Sequence, residues 1–194
     1  MTQGTRQDAP RQRTDAARNR EAVLQAAAEV FARSKTEPSM RALAREAGVG
    51  IATLYRHFPT REALVDAVYQ DQVVRLTTGA TEFVASYPPA EALRRWMDLF
   101  AEWMATKNGM QNTLVAMIDA DQIVHTDTRE DLLAAIDVIL RAGAEAGDIR
   151  ADARAEDVAA ALIGILTVTG PPAANAQAAR LLDLLNDGLK ASAA

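Results

Sequence analysis

The 194 residues of this chain are enough for one large domain, or a small one and a medium one, each with its own core. With no cysteine and only two histidines, a disulfide framework, a thiolate nucleophile and a Cys-ligated zinc finger are excluded, and neither a cofactor nor a metal site is expected. The net charge of -5 is unevenly spread: residues 1–61 hold eleven Lys and Arg against six Asp and Glu, whereas the remainder holds ten against twenty, so a basic region suited to a polyanion precedes an acidic body.

Met1 to Thr14 is polar, with Gly4, Pro10 and three arginines, and reads as a disordered arm without the apolar stretch of a signal peptide. No run is long and apolar enough to enter a membrane, which predicts a cytoplasmic protein. From Asp15 to Ser34, Val23, Ala27, Val30 and Phe31 make one helical stripe opposite Arg18, Glu21, Gln25 and Glu29. Pro38 then ends a loop, and Ser39 is placed to cap a short helix, Met40 to Glu46, with Leu43 and Ala44 inward. Ala47-Gly48-Val49 predicts a sharp reversal, because glycine accepts the positive φ such a corner needs. A second short helix, Gly50 to Phe58, buries Leu54 and Phe58 and stops at Pro59, and Thr60 caps a long helix over 61–86.

Beyond Tyr87-Pro88-Pro89, periodicity and breakers predict helices at about 90–106, 109–123, 127–147, 154–169 and 173–191. The fold class is therefore all-α, with about nine helices. The division is an arm at 1–14, a three-helix unit at 15–60 and a larger helical unit at 61–194, in which 61–86 is the connecting helix.

Two short helices joined through Gly48, preceded by an amphipathic helix and followed by a capped one, form a helix-turn-helix pattern. The second helix offers Gly50, Ile51, Ala52, Thr53, Tyr55 and His57, small or polar side chains that let a backbone approach base edges in a major groove. Residues Arg20 to Val68 resemble the N-terminal domain of TetR-type transcriptional regulators through three runs. These are Met40 to Val49, then Thr53-Leu54-Tyr55-Arg56-His57-Phe58, then Arg61-Glu62-Ala63-Leu64. Gly50 stands where the family usually has Ser, and Arg61 where it usually has Lys. Residues 88–152 also resemble the SbtR-like C-terminal subgroup. The resemblance implies double-stranded operator DNA as partner, contacted by Thr53, Tyr55 and His57 with Ser39, Arg41 and Gly50 near it. Arg61, at a helix N-terminus, is expected to add charge facing a phosphate.

In the body, Trp96, Phe100 and Trp103 share a helix face with Met97 and Met104, a stripe that suits either core or an apolar pocket. With Met117 joining Trp96, Phe100, Trp103 and Met104, it is the candidate site for a small-molecule effector. The last two helices carry Leu162, Leu166, Leu182 and Leu185, which suit either a monomer core or a self-complementary two-fold interface. The resemblance implies the homodimer. Two heads on a palindrome also read more base pairs than one. The expected function is a ligand-responsive repressor. The competing reading, a helical small-molecule-binding protein or enzyme without a DNA role, lacks a Ser-His-Asp order, a glycine-rich phosphate loop or a paired-histidine motif.

Overall fold

A computed structural model describes residues 8–34, 36–120, 127–171, 173 and 175–191, with side chains from Asn19 onward. Among these residues there are nine helices and, apart from one isolated bridge between Ile149 and Lys190, no extended pairing. In chain order they are α1 (Asp8–Arg33), α2 (Met40–Glu46), α3 (Ile51–His57), α4 (Arg61–Ser86), α5 (Pro89–Gly109), α6 (Gln111–Asp119), α7 (Thr128–Ala146), α8 (Ala155–Thr169) and α9 (Ala176–Leu189).

Several expected boundaries change: α5 runs on to Gly109, past the expected 106, and α9 spans Ala176–Leu189, inside the expected 173–191. α1 begins at Asp8, so residues 8–14 are helical, and the rest of the expected arm lies outside the described residues. α6 ends at Asp119, short of the expected 123, and residues 121–126, including His125, lie outside the described residues.

The head owes its shape to local chemistry. Ser39 Oγ accepts from the Ala42 N–H at 3.3 Å, and Thr60 Oγ1 accepts from the Ala63 N–H at 3.1 Å, so α2 and α4 start where an oxygen satisfies an orphan donor. Between α2 and α3, Gly48 sits at φ +66°, and the Val49 N–H donates back to the Ala44 carbonyl at 3.0 Å. A side chain at that φ would be strained, which is why a glycine turns this corner.

Two cores fill the molecule. In the first, Val23, Ala27 and Phe31 of α1 meet Leu43 of α2, Leu54 of α3 and Leu64, Val65 and Val68 of α4. Met110, Leu114 and Met117, from the start and length of α6, close the same cluster. A boundary at 60/61 thus cuts through one core, and the head is finished by residues far along the chain. The second core joins α4, α5, α7, α8 and α9 around Trp96, Phe100, Ile136, Leu162 and Leu182. The long α5 bridges the two, packing against both α1 and α4. Gly109 at its end lies so close to α1 that a Cβ there would collide with the Phe31 carbonyl.

Candidate nucleic-acid interface and ligand cleft

α3 buries Leu54 completely and leaves its other side outward. Gly50, Ala52, Tyr55 and Arg56 are exposed, with Tyr55 46% open to solvent, while Thr53 is half-buried. Arg41 and Arg45 of α2 are exposed, as is the capping residue Ser39. These residues form one polar, cation-bearing surface without a large aliphatic side chain, which is what a duplex backbone can approach. The space around Gly50 is open, its nearest neighbour to an added Cβ being Thr53 Oγ1 at 3.8 Å, so glycine is not required there by packing.

Three of the sequence candidates stand elsewhere than expected. Ile51 is half-buried and packs on the head core. His57 is half-buried, with its ring centroid 6.3 Å from that of Phe58, beside Arg20 and Asp66. Arg61 departs most. Its Nε donates to Thr113 Oγ1 at 2.9 Å, Nη1 to the Pro38 carbonyl at 2.6 Å and Nη2 to Glu37 Oε2 at 3.2 Å. Glu37 in turn accepts from the Thr113 N–H at 2.9 Å and from Thr113 Oγ1 at 3.0 Å. The guanidinium is therefore committed to a protein junction and not presented to a phosphate. α6 has no side-chain cap of its own, and the Glu37 carboxylate supplies one, an anion placed at a helix N-terminus. This junction ties the loop before α2, the first turn of α4 and the first turn of α6 together.

Arg56 lies on the same surface, although the sequence pattern did not single it out. Its Nη2 donates to Thr53 Oγ1 at 3.0 Å along the exposed face of α3. The signal was present, since an arginine on a recognition helix is a ready donor to phosphate or guanine edges.

The aromatic stripe of α5 divides. Trp96 is fully buried and its Nε1 donates to the Leu76 carbonyl at 2.8 Å, so it belongs to the core. Met117 is also not at the pocket, because it completes the head core. Phe100, Trp103 and Met104 do line a cleft of about 480 Å³, together with Tyr69 of α4, Leu132 of α7 and Ile163 of α8. This volume lies in the range of small-molecule sites. Tyr69 also packs against both cores and sets its ring 6.2 Å from that of Trp103.

The leucines expected at a subunit interface pack within the single chain. Leu162, Leu166 and Leu182 are buried inside the second core, and Leu185 is half-buried against it. α8 carries no charged residue from Val158 to Thr169, so it is apolar on every side, and the stripe alone did not say which side turns inward. The outward side holds Ile163, Gly164 and Val168, the last 86% exposed, and α9 adds Leu184 at 66% beside Gly188.

No helix among the described residues is long and apolar enough to cross a membrane. Residues 23–68 match the model of the tetR family of bacterial regulatory proteins, and residues 88–191 match that of the SbtR-like transcriptional regulator C-terminal domain. Among solved structures, the TetR transcriptional regulator SCO0520 from Streptomyces coelicolor is similar at 42% identity, covering 90% of this chain and 99% of that one with a TM-score of 0.82. The TetR transcription regulatory protein from Mycobacterium vanbaalenii is similar at 33% identity, covering 92% and 98%, with a TM-score of 0.69. No curated protein matches the chain.

Proposed function

The chain belongs to the TetR family of bacterial transcriptional regulators, DNA-binding proteins and not enzymes, and from that premise we propose a homodimeric, cytoplasmic repressor released from a palindromic operator by a small-molecule effector. One observation carries the reading: the chain turns two surfaces of opposite chemistry outward. α3 and α2 offer Tyr55, Arg56 and Arg41, whereas α8 and α9 offer Ile163, Val168 and Leu184. The first suits a polyanion. The second is an apolar face that a monomer would leave in water, and a second copy of the same face covers it around a two-fold axis. Small residues at Gly164 and Gly188 let the backbones come close.

In this reading Ser39, Arg41, Gly50, Ala52, Thr53, Tyr55 and Arg56 meet the duplex, and His57 contributes from its edge. Half-sites are expected about 34–36 Å apart, or somewhat more. The effector occupies the cleft at Phe100, Trp103 and Met104. α4 runs from the Arg61 junction to Tyr69 in the cleft wall, about 12 Å along one helix. Displacement of Tyr69 therefore reaches the junction that orients the head, and this is the proposed route of release.

The test is capture of cross-linked, sheared chromosomal DNA with the tagged full-length chain. Recovery of a short inverted repeat supports the reading. Fragments with no shared motif, together with no retardation of any fragment at low salt, would contradict it.

A further inference from the structure

The cleft assigned above to an effector has one feature that shape and hydrophobicity do not explain. Trp103 is about nineteen-twentieths buried in its wall, at 5% exposure, and among the described residues its indole Nε1 has no hydrogen-bond acceptor. A buried donor without an acceptor destabilises a fold unless something supplies one. Trp96, on the same helix face, has its acceptor in the Leu76 carbonyl, whereas Trp103 at the cleft has none among the described residues.

Two cations stand at the same cleft. Lys107, one turn beyond Trp103, holds its Nζ 5.2 Å from the centre of the Trp103 ring. Arg129, in the first turn of α7, lines the cleft as well. Neither has an ion-pair partner among the described residues, although six other arginines of the chain pair with carboxylates. Among the described residues Glu156 is the one carboxylate in the lining; it sits in the first turn of α8, where the helix N-terminus offsets part of its charge. Among the described residues the lining thus carries Lys107 and Arg129 against Glu156, beside the indole of Trp103 and the apolar Phe100, Leu132 and Ile163.

Resting on the cleft being the effector site, we infer that its ligand is an amphipathic carboxylate: an apolar or aromatic body on the Phe100 floor and an anionic head met by Trp103 Nε1, Lys107 and Arg129. A neutral apolar molecule would leave the indole donor and both cations as they are. A carboxylate accepts from all three, and a hydrogen bond to a charged group is worth more than one between neutral groups.

Calorimetric titration of the full-length protein tests this with three matched pairs: 2-naphthoate, biphenyl-4-carboxylate and decanoate, each against its primary amide. For at least one pair the acid should bind roughly tenfold or more tightly than the amide. That ratio should fall towards one in Lys107→Met combined with Arg129→Met. The ratio is the readout because a substitution that merely loosens the cleft weakens acid and amide together. Amides that bind as well as acids, a ratio untouched by the double substitution, or no binding by any of the six would overturn the inference. Operator release is measured in parallel and keeps the two readings apart. Acids that bind selectively but leave the operator occupied support the ligand class and break the effector reading. Amides that bind equally and release the operator do the reverse.

Discussion

The head and the α8–α9 pair differ in how their side chains are committed. In the head, α2 starts at the Ser39 oxygen cap, the chain turns at the positive-φ Gly48, and α3 buries Leu54 while leaving Tyr55 and Arg56 outward, so inner and outer positions separate cleanly. α8 is uncharged from Val158 to Thr169 and α9 adds the exposed Leu184 among its charged residues, so the same leucine could close a core or meet a partner. A helix cap or a corner can thus be deduced from local chemistry, whereas an interface on an all-apolar helix is decided by what the rest of the chain packs against it.

The sharpest way to break this comparison is to place a charge on each side of α9. Leu182→Asp puts a carboxylate in the second core and should cost about 4 kcal/mol or more, seen as loss of cooperative melting. Leu184→Asp should keep the helical circular dichroism but sediment as a single chain, with operator affinity down by about a hundredfold or more. If the two variants behaved alike, the assignment of inner and outer faces would be wrong.

A smaller effect is expected where head and body touch. Gly109→Ala forces α5 away from the Phe31 carbonyl and should lower stability by about 1–3 kcal/mol in denaturant titration. On the DNA face, Tyr55→Phe should weaken binding about five- to tenfold on specific and unrelated duplexes alike, the signature of a phosphate contact. Thr53→Ala should instead narrow the gap between them. Quantitative gel shifts on both duplexes separate the two patterns.

Much of the head was legible from spacing: the Ser39 and Thr60 caps, the Gly48 corner, and Leu54 opposite an outward Tyr55. The Arg61 junction was not, because Glu37 and Thr113 are 76 positions apart and no local pattern joins them. An arginine at a helix start looks the same in sequence whether it faces a phosphate or a carboxylate. Trp96 and Trp103 likewise share a face by helical arithmetic, yet α4 covers the first with the Leu76 carbonyl, and the second reaches the cleft. Leu162 and Ile163 are adjacent in an uncharged run, and only the packing of α5, α7 and α9 against one of them tells them apart.

The central claim is that the body holds the head in its DNA-reading position through Glu37, Arg61 and Thr113, and operator affinity of Glu37→Gln across a salt series tests it most directly. Removing a negative charge from the neighbourhood of a polyanion should, by electrostatics alone, tighten binding. Loss of the charged partner of Arg61 should loosen the junction and weaken binding by about threefold, with the slope of log affinity against log salt unchanged. Weaker binding at constant slope is the expected result. Tighter binding by Glu37→Gln, or an Arg61→Ala variant whose salt slope falls by about one phosphate contact, would return Arg61 to the DNA and contradict the claim.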